Sequence, residues 1–494
     1  MAGTLIVKDG LVVRGAAGAR RYETVDIVVE GAHISAIGPG KGREYDGTVV
    51  DASNGIVMPG LVNAHLHSNE GFQQGAYDNL PLEIWLGESY PPFGFPILTE
   101  RDYYLRTMLA AIESIRAGVT TVQDDYVHPP ATPDAMDAAI RAYADAGLRA
   151  WVTVDMWDQP LRACLPWADE LIPEAIHDEL AAMGGADADA QTALFERQFE
   201  RWHGHDGRIR IVLAPCGPQR CTPDLLRRIA ALSEERDIPI HCHTLETRLQ
   251  AIHAQQAWGM TAVAFMESMG LLGPRSTLVH AIWLTEDDIA RLSGHGCSAV
   301  HNPLSNMKLG SGTCPVRKLL DAGIDVALGT DGLATSDTAD LVEAIRAASL
   351  IHKPGNPDHE SWVSADEVFD MATSAGARTG LMADETGRIE PGMRADLILL
   401  DRNHWGFVPL VDPIRQLAFS ATSEAVKTSI VDGRVVMLDR KILTVDEDAL
   451  RDEIREAGER YLRDCVPAME AGARRLAPAL EAIYRRAQAT RLPT

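Results

Sequence analysis

Two histidines one residue apart, His65 and His67, stand at the end of the apolar run Ile56–Val62 and its short sequel Asn63-Ala64. In a β-strand, residues i and i+2 point to the same face. If the run is a strand, both imidazoles leave one face at its C-terminal end and could chelate a divalent metal such as zinc or iron. A surface His-x-His pair without an ion is the plain alternative, and the pair alone does not decide. Later runs end in the same way. His241-Cys242-His243 follows Ile238-Pro239-Ile240, His280 ends Ser276–His280, His301 leads into Asn302-Pro303, and Asp331 sits in Gly329-Thr330-Asp331-Gly332. A single histidine at such a place is more often a satisfied core or surface residue than a ligand. Coincidence at several run ends weakens that reading. His65, His67, His243 and Asp331 would supply three nitrogens and one oxygen and leave room for water, as catalytic metal sites require. Glu246, in His243-Thr-Leu-Glu246, would sit just past a strand end, where a carboxylate could carry protons for a substrate held over the metal. Its plain alternative is a helix-start carboxylate favoured by the helix dipole.

These side chains need a scaffold that gathers strand ends. Eight candidate strands run through the middle of the chain: Ile56–His65, Val119–Asp124, Leu148–Asp155, Ile209–Pro215, Ile238–His243, Ser276–His280, Cys297–Asn302 and Ile324–Asp331. Amphipathic stretches such as Arg101–Ala117, Thr222–Arg236 and Glu286–Leu292 separate them. Strands alternating with helices imply parallel βα units, and eight units fit a (β/α)8 TIM barrel with its site at the C-terminal strand ends. A doubly wound open sheet is the alternative. Short β segments with Asp9-Gly10 and Glu30-Gly31 precede this region, and a similar grammar with Asp432-Gly433 follows it. Asp-Gly after an alternating apolar run signals a hairpin. The two ends are therefore expected to pair, giving an α/β chain of three parts. Residues 1–58 and 385–440 form a small composite β-sandwich, 59–384 the barrel, and 441–494 a C-terminal helical extension. Ser68–Thr99, with Trp85, Tyr90, Phe93 and Phe95, and Met156–Arg208 exceed a minimal barrel, and long βα loops cover or shape sites.

The chain has 494 residues and a formal net charge of -24, which disfavours nucleic acid and anionic membrane as partners. Its seven cysteines are scattered and form no Cys-x-x-Cys pair, which suits a reducing cytoplasm. Neither a secretion signal nor a membrane span is expected.

Taken together, Pro59-Gly-Leu-Val-Asn-Ala-His-Leu-His67, His243-x-x-Glu246, Val279-His280, His301-Asn-Pro-Leu-Ser-Asn306 and Gly329-Thr-Asp-Gly332 resemble the amidohydrolase superfamily. The likeness is greatest to its branch of cytosine, guanine and S-adenosylhomocysteine deaminases and triazine hydrolases. Asp78-Asn-Leu-Pro-Leu-Glu-Ile-Trp-Leu86 and Gly387-Arg-Ile-Glu-Pro-Gly-Met-Arg-Ala-Asp-Leu397 extend it. It covers residues 5 to about 437. The resemblance implies one divalent metal per chain, zinc first and iron second, on His65, His67, His243 and Asp331. It gives Glu246, His280 and Asp331 the proton transfers, and makes Glu246, His280, Trp85 and Gln219 the expected substrate contacts. One segment departs from it. Where several relatives carry a substrate-contacting histidine after strand four, this chain has Pro215-Cys-Gly-Pro-Gln-Arg-Cys-Thr222, which argues against an adenosine-type substrate. No lysine occurs from Ile209 to Thr222, so the modified lysine that bridges two metals in binuclear relatives has no counterpart.

The expected function is hydrolytic deamination of a small N-heterocycle with release of ammonia, by a homodimer or higher homo-oligomer. Loss of another group, such as chloride or an alkylamine from a triazine, or amide or urea cleavage, is the enzymatic alternative. A non-catalytic scaffold is disfavoured because all four ligand-type residues and Glu246 are present.

Overall fold

The computed structural model describes residues 3–94, 96, 98–127, 132–182 and 185–492. Five strands come first: β1 (Thr4–Arg14), β2 (Arg21–Glu30), β3 (His33–Gly38), β4 (Thr48–Asp51) and β5 (Gly55–Pro59). Next come the barrel strands β6 (Leu61–His67), β7 (Val119–Tyr126), β8 (Arg149–Met156), β9 (Ile209–Pro215), β10 (Ile240–Thr244), β11 (Ser276–His280), β12 (Ser298–His301), β13 (Asp325–Leu328) and the two-residue β14 (Asp331–Gly332). The last four are β15 (Leu397–Asp401), β16 (Val426–Val431), β17 (Arg434–Leu438) and β18 (Lys441–Ile442).

The barrel strands are parallel and ordered β13-β12-β11-β10-β9-β8-β7-β6-β14. The eighth run is interrupted after Leu328; β13 pairs with β12, and Asp331 and Gly332 pair with Leu66 and His67 of β6. That break closes the ring and sets the predicted Asp331 beside the predicted His67. Ala64, Val279, Val300 and Ala327, from four strands, pack together inside it.

The first expected strand is two. Ile56–His65 splits at Gly60, whose N–H donates to the carbonyl of Asp396 at 2.9 Å and whose missing side chain leaves room for Thr120. Before Gly60 the chain belongs to the terminal sheet, and after it to the barrel.

Both chain ends do share one nine-stranded sheet, in which β5 runs antiparallel to β15 with Val57 opposite Leu399. Alternation divides its residues: Val57, Leu397 and Leu399 join Ile27 and Ile430 in one core, while Met58, Ile398 and Leu400 join the barrel's outer core. Asp432-Gly433 is the expected hairpin, with φ of 54° and 75°, the positive pair that a tight turn between twisted strands requires. Asp9-Gly10 is not a hairpin. β1 runs straight through it with a register shift, and the Asp9 N–H donates to Asp26 Oδ1 at 2.9 Å, so the signal there marks a bulge. The sheet also runs past the expected boundary at 440, through Lys441–Ile442.

The C-terminal extension is helical over Glu447–Asp464, Val466–Ala473 and Ala477–Ala489. It packs on the two long loops. Leu480 and Ile483 share a core with Ile172, Ile176 and Leu180 of the second loop. Tyr461 Oη accepts from Gln73 Nε2 of the first at 2.8 Å. Phe95 lies outside the described residues. Among the described residues, no helix is long and apolar enough to cross a membrane, and all seven cysteines are free.

Candidate functional site

His65, His67 and Asp331 meet first. The Nε2 atoms of the two histidines lie 3.1 and 3.2 Å from the same oxygen, Asp331 Oδ1. His243 Nε2 comes within 3.3 Å of His67 Nε2. The register of β6 against β7 slips twice, so simple alternation does not set its faces, yet the two imidazoles still converge with ring centroids 4.7 Å apart. Two triplets of ligand-type atoms result, His65–His67–His243 and His65–His280–Asp331, each within 4.8 Å.

The outer nitrogens are tied down. His67 Nδ1 lies 2.6 Å from the carbonyl of Asp125, and His243 Nδ1 lies 2.9 Å from that of Cys216. A carbonyl only accepts, so each Nδ1 carries the proton and each Nε2 presents a lone pair inward. His65 Nδ1 faces His241 Nε2 at 2.9 Å, while its buried Nε2 makes no hydrogen bond. Inward lone pairs, an unsatisfied buried nitrogen and a carboxylate suit a divalent ion of the zinc type.

Glu246 and His280 stand over this cluster. His280 Nε2 is 3.9 Å from both Glu246 Oε2 and Asp331 Oδ2. Its Nδ1 lies 3.0 Å from Asn306 Oδ1, which makes Nδ1 the donor and leaves Nε2 as an acceptor. Burial keeps His280 neutral by lowering its pKa. Burial first, then the Asp331 and Glu83 carboxylates, pushes Glu246 well above the usual range. Four residues at these strand ends adopt left-handed backbone: Leu245 (φ 53°), His280 (φ 68°), Ala281 (φ 47°) and Asp331 (φ 68°). Such conformations cost about 1–3 kcal/mol each and gather where geometry is held for function.

A cavity of about 1210 Å³ opens above, lined by His67, His243, Glu246, His280 and Asp331 together with Trp85 and Gln219. All the expected site residues thus reach one cavity or its floor. His301 does not reach the metal-type cluster. It is buried, neither ring nitrogen makes a hydrogen bond, and its ring packs 5.2 Å from that of His352.

Three acidic residues were not foreseen. Glu70, also lining the cavity, accepts from the Ala334 N–H at 2.9 Å and from the Tyr90 hydroxyl at 2.8 Å, and burial, the largest effect on it, raises its pKa to about 7. The signal was available, since His67-x-x-Glu70 repeats the spacing of His243-x-x-Glu246. Asp125 and Asp155 end strands two and three. Asp125 Oδ2 lies 3.4 Å from His243 Nδ1.

The sequence and shape of the chain have relatives. The family model described as the amidohydrolase family matches residues 56–436. A 5'-deoxyadenosine deaminase of Methanosarcina mazei is 32% identical over 459 residues, 92% of this chain and 98% of that protein. A 5-methylthioadenosine/S-adenosylhomocysteine deaminase of Syntrophomonas wolfei is 33% identical over 461 residues, 92% of this chain and 99% of its own. A zinc-bound adenosine deaminase structure from Xanthomonas campestris superposes with a TM-score of 0.82 at 28% identity, covering 93% of this chain and 98% of that one.

Proposed function

The chain belongs to the amidohydrolase family and is a metal-dependent aminohydrolase of carbon–nitrogen bonds outside peptides; from that premise we propose that it deaminates a purine-sized N-heterocycle with one zinc per chain. The observation that carries the reading is the convergence of His65, His67, His243 and Asp331 beneath Glu246 and His280. The relatives act, by their names, on adenosine derivatives, and the cavity has room for a base with a substituent.

His65, His67, His243 and Asp331 would hold a divalent ion, which would make water acidic enough to attack near neutral pH. The other tasks fall to the chain. Glu246, kept protonated by burial and its acidic neighbours, gives its proton to a ring nitrogen as water adds to the amine-bearing carbon. His280, its pKa lowered by burial and its Nε2 facing the Asn302 amide at 3.4 Å, takes a proton at that nitrogen and passes it to the departing amine. Asp331, whose Oδ2 lies 3.9 Å from the same nitrogen, shares the transfer. Water and the ring amine become a ring carbonyl and ammonia.

The test is an ammonia-release screen of adenosine derivatives, aminopurines, aminopyrimidines, pterins and triazines on the zinc-loaded full chain. Ammonia from at least one purine-sized compound is expected. Release of chloride or alkylamine from a triazine, with no ammonia from any compound, would replace this reading with the other leaving-group chemistry.

A further inference from the structure

His-x-His stands at two strand ends, at 65 and 67 on β6 and at 241 and 243 on β10, and the metal-type cluster takes up His65, His67 and His243. His241 is left over. Alternation puts it on the same inward face of β10 as His243, one step deeper in the barrel. It is fully buried, and its Nε2 lies 2.9 Å from His65 Nδ1. The two ring centroids are 5.1 Å apart, with the planes tilted by 32°. His241 Nδ1 makes no hydrogen bond, so among the described residues the contact with His65 is the only hydrogen bond of this ring. A polar ring sealed in a barrel core with one nitrogen unpaired serves the fold less well than an apolar side chain of similar size. Packing therefore gives no reason for a histidine here. Its one contact does.

The three histidines of the cluster are supported differently. His67 and His243 turn Nδ1 to the backbone carbonyls of Asp125 and Cys216, at 2.6 and 2.9 Å, with Asp125 Oδ2 a further neighbour of His243 at 3.4 Å. A backbone carbonyl stays in place whatever side chain its residue carries. His65 Nδ1 meets a side chain instead. We propose that His241 is a positioning residue for the metal: its Nε2 accepts from the Nδ1–H of His65 and so holds the His65 ring with Nε2 turned toward the ion. This rests on the four-ligand reading above. With Nδ1 as donor, His65 Nε2 keeps its lone pair, and it lies 3.1 Å from Asp331 Oδ1, on the side where the other ligand-type atoms gather. Turning the ring over would put a carbon against His241 and another toward the ion, so the hydrogen bond selects the one orientation that can bind. An outer acceptor also makes a ligating imidazole more basic. His241 itself belongs to no metal-type group among the described residues, so it supports a ligand without being one.

The test compares two replacements of similar size in the zinc-loaded full chain. His241→Gln places an amide oxygen close to the position of Nε2, where it still accepts from His65. His241→Met fills a similar volume with only a weak acceptor. Zinc affinity is measured by competition with a chelator, and the ligand sphere by the visible absorption of the cobalt-substituted protein. His241→Met is expected to bind zinc about 10- to 100-fold more weakly than the wild type, as when an outer partner of a metal ligand is lost, and to shift the cobalt bands. His241→Gln is expected to stay within about 3-fold of the wild type and to keep its spectrum. Equal losses in the two variants, or failure of both to fold, would assign His241 to packing and overturn the proposal. Wild-type affinity and spectrum in His241→Met would overturn it as well. The function above fails separately. If His241→Met loses zinc and His241→Gln keeps it while no heterocycle releases ammonia, only the proposed reaction falls; if ammonia is released and both variants bind zinc as the wild type does, only this inference does.

Discussion

Glu70 occupies the space that a side chain on Gly332 would need. A Cβ there would collide with its carboxylate, whose Oε2 instead accepts from the Ala334 N–H at 2.9 Å. The end of β6, which carries His65 and His67, is thereby pinned to the turn that carries Asp331. Gly332→Ala should push Glu70 aside and shift Asp331 while leaving the barrel folded. Zinc affinity is expected to fall about 10- to 100-fold, as when an outer partner of a metal ligand is lost. Wild-type affinity in a competitive chelator titration would show that this contact does not position the ligand.

Glu246→Gln should retain zinc, since in the proposed reaction this residue delivers a proton and is not a ligand. The amide keeps the shape but carries no acid proton, so kcat is expected to drop about 100- to 10,000-fold with a smaller change in KM. A fully active variant on its true substrate would remove Glu246 from the chemistry and leave the metal site standing.

His301→Ala and His243→Ala make a matched pair. Zinc should be lost from the His243 variant and kept by the His301 variant, whose imidazole packs on His352 away from the ligand cluster. The His301 change should appear as lower stability, on the order of 2 kcal/mol, as for other emptied core positions. Elemental analysis after dialysis decides between them.

How far the sequence predicted these positions depended on what strand ends advertise. His-x-His at 65 and 67, His243, Asp331 and Glu246 were legible because their types and spacing name the chemistry and their apolar runs name the strands. Glu70, Asp125 and Asp155 were not picked out, although each also follows or ends an apolar run. A carboxylate at a strand end is read as solvent-facing unless something shows that it is buried, and only the folded packing shows that. The split at Gly60 was hidden for a related reason. Periodicity sees one apolar run from Ile56 to Val62, whereas the close approach of Thr120 that diverts it lies 60 residues further on. Asp9-Gly10 and Asp432-Gly433 look alike locally, and the partner strands decide that one is a bulge and the other a turn.

Tyr461 ties the C-terminal helices to the first long loop through Gln73, which in turn accepts from the Ser89 hydroxyl at 2.7 Å. Tyr461→Ala should loosen that loop over the cavity without touching the metal ligands. KM is expected to rise by about 3- to 10-fold with zinc content unchanged, and limited proteolysis should cut within residues 74–99 faster than in the wild type. Unchanged proteolysis would show that the loop is held by its other contacts alone.

His253, buried against the edge of Trp258, should make the fold acid-sensitive. Burial lowers its pKa to about 4. The unfolded chain, with an ordinary value near 6.5, binds the proton first as pH falls. Stability from this group is complete above about 6.5 and is lost between there and about 4, by on the order of 2–3 kcal/mol. Denaturant titrations at pH 7 and pH 4.5 should show a smaller drop for His253→Phe than for the wild type. An equal drop would place the acid sensitivity elsewhere.

The pairing of β5 with β15 has a consequence for biosynthesis. Val57 emerges from the ribosome long before its partner Leu399 exists. At roughly 5–20 residues per second the delay is on the order of half a minute, during which one edge of β5 is an open row of donors and acceptors. The nascent amino-terminal strands are therefore exposed to wrong partners for that whole interval, including the same strands on neighbouring ribosomes of one message. Yield in a cell should consequently depend on translation speed through the barrel and on the supply of holdase chaperones more than on the stability of the finished enzyme.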